Sequence, residues 1–162
     1  MSPVQTEPAL HPDLTPLAFL LGIWVGEGQG MYPTIDTFEY GEEIRFWHVG
    51  KPWLGYAQRT WALDDGRPLH SELGYWRPQK GGRVELVLAH PNGLTEIDEG
   101  TVAGTTLELT STSVERTSTA KDVTGLTRRY EAHGHQLTYS LAMAAVGQSL
   151  QPHLRAELEH SS

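Results

Sequence analysis

The sequence predicts an all-β protein, a ten-stranded antiparallel up-and-down β-barrel with one short N-terminal helix. Three observations predict this fold. Ten short segments have the alternation or the residue content of strands, tight-turn sequences separate many of them, and one stretch alone reads as a helix. A meander of this size is expected to close, because closure removes exposed strand edges. A barrel of about eight to ten strands has room for one small ligand.

The helix is predicted in the segment DLTPLAFLLG, which follows a proline-rich start. Asp13 or Thr15 can cap its first turn, and Gly22 ends it. The segment before it, residues 1–12, is predicted to be a flexible arm. The remainder, residues 13–162, is predicted to be a single barrel domain, which suits a chain of 162 residues.

Ten strands follow the helix, and glycine-containing turns separate several of them. The clearest turn sequences are DDGR, KGGR, PNG, VAG and HGH. Within a strand the period of two distinguishes a dry face from a wet face: Leu137, Tyr139 and Leu141 share one side, whereas Gln136 and Thr138 share the other. The predicted strands span residues 22–30, 37–48, 53–63, 69–78, 82–89, 93–102, 105–113, 122–131, 136–144 and 149–159.

The composition excludes several classes of function. The formal charge is −8 at pH 7, which argues against nucleic acid and anionic membranes as partners, because both require a basic face. The chain has no cysteine, so disulfides, thiolate metal sites and thioether-linked haem are excluded. No apolar run approaches the roughly 20 residues of a membrane helix, and the first residues lack the pattern of a signal peptide. A cytoplasmic location is therefore predicted.

The first strand has one face that carries almost no side chains. Gly26, Gly28 and Gly30 share their parity with Trp24, which is the one large group on that face. Glycine is costly in a strand, which indicates that something needs the space. A flat ligand or a bulky neighbour could lie against the bare backbone. Alternatively, the glycines relieve curvature at a bend and Trp24 closes the end of the barrel.

The same strand carries the motif Gly-x-Trp-x-Gly-x-Gly, starting at Gly22, which resembles the signature of the nitrobindin family. The stretches YPTI, FEYGEE and GKPWLGY also look like that family, as does the C-terminal stretch MAAVGQSLQPHLRAEL. The resemblance covers about residues 12–159. The glycine motif alone is a modest signal, but its combination with the histidine-containing C-terminal stretch is specific.

Similarity to this family implies a barrel like that of fatty-acid-binding proteins, with one haem b inside. It implies that His153 is the proximal iron ligand, and therefore both the metal ligand and the catalytic residue. The family keeps iron ferric, binds nitric oxide and isomerises peroxynitrite to nitrate. The chain is accordingly expected to be a haem-dependent peroxynitrite isomerase, monomeric or homodimeric. The predicted cofactor-binding residues are His153, Thr34, Lys121, Trp24, Gly26 and Gly28.

Strict alternation in the last strand conflicts with that role of His153. If Leu150, Pro152, Leu154 and their alternate successors form the dry face, His153 points to solvent. A bulge near Pro152 would reverse the local register, since proline cannot donate to the ladder. A polar inner lining at the barrel mouth is a second way to resolve the conflict.

Other polar residues are weaker candidates for a site. His48 could line the barrel mouth, His70 is expected to be structural, and His90 precedes a turn. No pair of histidines has the spacing of a zinc motif. The adjacent Glu42 and Glu43 must point to opposite faces of a strand, which predicts one solvated carboxylate and one buried, hydrogen-bonded one.

Two other functions remain open at this stage. The first is a non-catalytic carrier of an apolar ligand such as a fatty acid, which an inward Arg59 or Arg128 would favour, because such carriers hold the carboxylate with arginine. The second is a sensor in which haem serves as a receptor for nitric oxide. Haem absorption of the purified protein separates the carrier from the other two functions.

Overall fold

The computed structural model describes residues 7–161, in which ten antiparallel strands form a closed barrel. The strands are β1 (Gly22–Tyr32), β2 (Ile35–Trp47), β3 (Leu54–Ala62), β4 (Pro68–Gln79), β5 (Arg83–Ala89), β6 (Leu94–Ala103), β7 (Thr106–Arg116), β8 (Val123–His133), β9 (Gln136–Ala145) and β10 (Gln151–Ser161). Each pairs with its neighbours in the chain, and β1 pairs with β10 to close the barrel. The predicted fold class is confirmed, and the strand limits differ from the predicted ones by only a few residues.

The predicted helix is present as a 3₁₀ helix, Pro12–Leu20. Its cap differs from the prediction: the Nδ1 atom of His11, not the side chain of Asp13 or Thr15, accepts the first hydrogen bond, from the backbone N–H of Asp13 at 3.1 Å. Two prolines within the helix lack N–H groups, which weakens the α-helical ladder. No helix in the described part of the chain is long and apolar enough to cross a membrane.

Part of the predicted arm, residues 1–6, lies outside the described residues. Residues 7–11 have no regular secondary structure, and the helix begins at Pro12, inside the predicted arm. The flexibility of the arm and the boundary of the domain stay predictions.

The helix closes one end of the barrel, which we call the closed end. Leu14, Leu17 and Leu20 are fully buried there, and the indole Nε1 of Trp24 donates a hydrogen bond of 2.8 Å to the carbonyl of Leu20. Burying a leucine contributes roughly 1.5–3 kcal/mol, so these contacts hold the helix firmly across the barrel. The second sequence interpretation of Trp24, as a residue that closes the barrel, matches this position.

Charged residues occupy the middle of the barrel. Along β2 the inward side chains run from Phe38 and Tyr40 through Glu42 to Ile44 and Phe46, and Phe46 pairs with Gly22 beside the helix. Glu42 therefore lies between the closed end and the opposite, open end. Inward polar residues of β4, β6 and β8 lie at similar height. We call this set the charged layer: Glu42, Glu72, Glu96, Asp98 and Arg128, all of them buried.

Candidate functional site

A cavity of about 560 Å³ fills the open end of the barrel, above the charged layer. This volume lies within the range of about 300–1,000 Å³ that is typical of sites for small molecules and cofactors. Apolar side chains from several strands make up much of its wall. They include Phe38, Leu69, Leu94, Leu126, Leu141 and Met143.

His153 lines this cavity because β10 contains a bulge. Pro152 pairs with Ala142 of β9, and the next paired residue, Leu154, is opposite Leu141, so His153 is the extra residue between them. The expectation from strict alternation, a solvent-facing histidine, is wrong at this position. The alternative of a bulge near Pro152 is confirmed, at a position where proline cannot donate to the ladder.

The surroundings of His153 fix both its charge and its tautomer. Its Nδ1 lies 2.9 Å from the carbonyl oxygen of Met31, which can only accept a hydrogen bond, so Nδ1 carries the proton and Nε2 keeps a lone pair. Burial lowers the pKa of His153, which keeps the ring neutral at neutral pH. The ring of Tyr32 packs against it edge-on, with centroids 5.4 Å apart. A neutral imidazole held through Nδ1 is the form that binds a metal through Nε2.

Thr34 and Lys121 line the same cavity as His153. Both are exposed residues of connecting segments: Thr34 joins β1 to β2, and Lys121 lies between β7 and β8. The structure therefore brings together three of the six predicted site residues. An ammonium group at the mouth of a largely apolar cavity can pair with an anionic group on a ligand.

The other three predicted residues, Trp24, Gly26 and Gly28, do not line the cavity. Trp24 lies at the closed end, and protein atoms cover the bare face of β1: the ring of Tyr40 lies against Gly28, and the backbone of β10 lies against Gly26. The space that the glycines leave is filled by a bulky neighbour and by close strand packing. That was one of the alternatives that the sequence left open, and it gives these residues no contact with a ligand in the cavity.

Arg128 is the centre of the charged layer. Its guanidinium donates to Glu96 at 2.8 Å and to Glu72 at 3.0 Å, and it lies 3.4 Å from Asp98. Burial, followed by the neighbouring Glu96, raises the pKa of Asp98, so that Asp98 holds a proton at neutral pH.

Glu42 forms a second buried network. One of its oxygens accepts hydrogen bonds from Gln58 at 2.6 Å and from the Tyr139 hydroxyl at 3.0 Å, while the other oxygen has no partner among the described residues. Burial raises the pKa of Glu42 to about 7. Its neighbour Glu43 points outward and pairs with Arg45 at 2.7 Å, which confirms the predicted opposite orientation of the two carboxylates.

Two histidines that the sequence reasoning set aside form a hydrogen-bonded chain in the cavity wall. His70 Nε2 lies 2.9 Å from His90 Nδ1, and His90 Nε2 lies 3.0 Å from Glu96. Burial alone would raise the pKa of Glu96, but Arg128 and the hydrogen bond from His90 hold that pKa well below its usual value. The ionised Glu96 accepts from His90 Nε2, which leaves His90 Nδ1 to accept from His70. Burial, with the nearby His90, lowers the pKa of His70 to about 4.

The sequence carried a weak signal for this hydrogen-bonded series of side chains. His70 and Glu72 share the inward parity of β4, but His90 is twenty residues away from His70, and only the pairing of β4 with β5 brings it close. His48, by contrast, is absent from the cavity lining, and its Nδ1 accepts a hydrogen bond from the backbone of Gly50 at 3.2 Å.

Comparison with known proteins gives one family and several close relatives. Residues 13–160 match the family model described as "THAP4-like, heme-binding beta-barrel domain". Peroxynitrite isomerase 2 of Mycobacterium marinum is 54% identical over 157 residues, covering 94% of this chain and 98% of that protein. Peroxynitrite isomerase of Nocardia farcinica is 52% identical over 158 residues, covering 95% and 94%. The crystal structure of Rv2717c from M. tuberculosis superposes with a TM-score of 0.90, at 53% identity, over 95% of this chain and all of that one.

Proposed function

The chain belongs to the THAP4-like haem-binding β-barrel family, and from that premise we propose that it holds one haem b through His153 and isomerises peroxynitrite to nitrate. The observation that carries the proposal is the geometry of His153: a neutral imidazole in a bulge, lining a largely apolar cavity, with its Nδ1 hydrogen bonded to a backbone carbonyl. The relatives named peroxynitrite isomerase are more than half identical to the chain over nearly their whole length, which supports the same reaction here.

The residues present fit a haem. A haem requires an axial donor, an apolar enclosure and cations or donors near its propionates. His153 Nε2 would bind the iron, the apolar wall would enclose the macrocycle, and Lys121 and Thr34 at the mouth would hold the propionates. The chain has no cysteine, so no thioether linkage can form, which supports a haem held without a covalent link, such as haem b. Ferric haem supplies a Lewis acid that accepts charge from an anionic oxygen.

The protein's own groups prepare the cavity for that chemistry. The carbonyl of Met31 orients His153 and increases the basicity of Nε2 by accepting the Nδ1 proton in a hydrogen bond. The apolar wall would limit the access of water to a substrate bound in the cavity. Below the wall, Glu72 and Glu96 pair with Arg128, so the described residues of the charged layer present no unpaired cation to the cavity.

The alternative of a fatty-acid carrier is disfavoured by the arginines. Arg59 is exposed and pairs with Glu43 at 3.3 Å on the outside of the barrel. Arg128 points inward, but Glu72 and Glu96 already neutralise it. A ligand carboxylate entering the cavity would meet no unpaired guanidinium among the described residues, and it would approach a layer with several carboxyl groups.

The proposal has two further parts. Nitric oxide is a second ligand of the haem, and the protein is located in the cytoplasm. Nitric oxide is a small diatomic that a haem held by His153 would be able to bind. If the protein is a sensor instead of an enzyme, it binds nitric oxide but leaves the decay of peroxynitrite unchanged.

Stopped-flow mixing of the haem-loaded chain with peroxynitrite tests the proposed activity. We expect faster decay than with the same concentration of free haem, and nitrate as the product at the expense of nitrite, because the enclosed cavity would limit escape of the reacting species into water. Haem-loaded chain that accelerates the decay no more than free haem would contradict the isomerase function while leaving haem binding intact.

A further inference from the structure

We propose that the cavity wall across from His153 contains a second metal site, for a divalent transition-metal ion of the Zn²⁺ type, with His70, Glu72 and His90 as the protein ligands. This site goes beyond the proposed haem function, because it uses none of the residues assigned to the haem. In the closed barrel, β4 is separated from β10 by three strands on one side and five on the other. His70 on β4 and His153 on β10 therefore belong to opposite walls.

Three ligand atoms converge at this place. His70 and Glu72 are on the same face of β4, and His90 directly follows β5, which pairs with β4 through Leu73 and Ala89. One ligand atom from each of His70, Glu72 and His90 lies within 4.8 Å of the other two. The two imidazoles face each other with 2.9 Å between His70 Nε2 and His90 Nδ1. An ion bound to both nitrogens would replace this hydrogen bond with small movements of the rings.

The hydrogen bond that would orient one of the three ligands is already in place. Histidines that bind metals usually donate their other N–H to a carboxylate, which fixes the tautomer and makes the ring a better ligand. His90 does this with Glu96, at 3.0 Å, and both side chains are almost completely buried. His90 Nδ1 is thereby held with its lone pair toward His70 and Glu72. This arrangement, not the three ligands alone, distinguishes the cluster from histidines that are close by chance.

The charge of the surroundings favours a cation. The charged layer contains four carboxyl groups and one guanidinium, and both oxygens of Asp98 lack hydrogen-bond partners among the described residues. Carboxyl groups outnumber the guanidinium in this layer, so the surroundings of the three ligands attract a cation. Glu72 accepts from Arg128 at 3.0 Å, and a carboxylate has further lone pairs with which it can bind an ion at the same time.

The ligand set defines the class of ion. Two imidazoles and one carboxylate, with cavity space for a water molecule as the fourth ligand, match the open type of zinc site. Imidazole ligands also suit Co²⁺, Cu²⁺ and Ni²⁺, whereas Mg²⁺ and Ca²⁺ prefer oxygen ligands throughout.

Calorimetric titration of the haem-free full chain with Zn²⁺ tests the site, together with absorption spectra after addition of Co²⁺. We expect one ion per chain and Co²⁺ absorption bands of a four-coordinate site with nitrogen and oxygen ligands. Glu96→Gln removes a hydrogen-bond partner of a ligand and should weaken Zn²⁺ binding by ~10–100-fold. His70→Ala and His90→Ala each remove a ligand and should weaken Zn²⁺ binding by more than that. His153→Ala and the exposed His133→Ala should bind Zn²⁺ like the wild type.

Three results would overturn the site: wild-type chain that binds no Zn²⁺, unchanged affinity in His70→Ala and His90→Ala, or loss of the ion in His153→Ala, which would place it at the proposed haem ligand. Circular dichroism of each variant shows whether it is folded. The Co²⁺ spectrum of the wild type shows whether an ion with nitrogen and oxygen ligands is bound, and Glu96→Gln and His153→Ala locate it if a ligand variant does not fold. Haem titrations test the haem proposal separately. If that proposal fails, the Zn²⁺ and Co²⁺ results on the haem-free chain are unaffected.

Discussion

Glu42 is a carboxyl group held inside the barrel with one oxygen hydrogen bonded and the other without a partner among the described residues. Its folded pKa is raised from 4.5 to about 7 by burial. The stability that neutral Glu42 contributes is therefore complete below about pH 4.5 and is lost as the pH rises to about 7, because the unfolded chain releases the proton first. A neutral side chain of the same shape would keep that contribution.

We therefore expect Glu42→Gln to gain stability over the wild type as the pH rises through this window. The difference in the free energy of unfolding should increase by about 3 kcal/mol between pH 4.5 and pH 7, as measured by urea unfolding at several pH values. Glu43→Gln is the matched control, since Glu43 is on the outer face and its pKa is lowered, not raised, by Arg45 and Arg59. Parallel pH profiles for Glu42→Gln and the wild type would show that Glu42 is ionised in the fold.

Arg128 offers a second test at the scale of one side chain. Arg128→Met leaves Glu72 and Glu96 buried without their cation, so we expect a loss of about 3–5 kcal/mol in unfolding free energy. The loss should be smaller at acidic pH, where protonation of the carboxyl groups removes the unpaired charge. Arg77→Met, which breaks an exposed pair with Glu85, should cost no more than about 1 kcal/mol at any pH. Equal losses in the two variants would mean that the charged layer is solvated.

Parity arguments predicted some of these residues and missed others. The opposite orientation of Glu42 and Glu43 follows from the period of two and is confirmed. The conflict at His153 could be stated from the sequence, and only the observed register decides it. The contact between His70 and His90 could not be predicted, because it depends on which residues of β4 and of the turn after β5 meet across the sheet.

At the scale of elements, turn chemistry and alternation were enough to predict the strands, since glycine-containing turns fix where each strand ends. The helix was predicted, but its 3₁₀ form and its cap were not. A histidine is an unusual cap, and its role here depends on the extended backbone of His11, which no local propensity indicates. The glycine-rich face of β1 was ambiguous for a similar reason: bare backbone is equally compatible with a ligand and with a neighbouring ring.

The structure resolves that ambiguity in favour of close packing, which can be measured. A Cβ at position 28 would lie 2.5 Å from the Tyr40 hydroxyl and 2.7 Å from the carbonyl oxygen of Arg155. Gly28→Ala should therefore cost about 1–3 kcal/mol in unfolding free energy, because the backbone of β10 cannot move away freely. Gly125→Ala in β8, where the nearest atoms are 3.9 Å away, should be neutral or stabilising. Thermal unfolding of the two variants would contradict this account if Gly28→Ala were as stable as Gly125→Ala.

At the scale of the whole molecule, the barrel divides into three parts with different tasks. The helix and Trp24 fill the closed end, the charged layer crosses the middle, and the cavity with His153 occupies the open end. Because closure pairs β1 with β10, the carbonyl of Met31 in β1 can hold His153 of β10, two residues that are 122 positions apart in the chain. The proposed haem ligand is thus oriented by the same pairing that completes the fold.

The most direct test of this account is a haem titration of the haem-free chain, followed through the Soret band, for the wild type, His153→Gly and the exposed His133→Ala. We predict that His153→Gly loses the wild-type band and most of its affinity, that added imidazole restores the band by occupying the space of the missing ring, and that His133→Ala behaves like the wild type. A wild-type Soret band and affinity in His153→Gly without imidazole would contradict the assignment of His153 as the iron ligand.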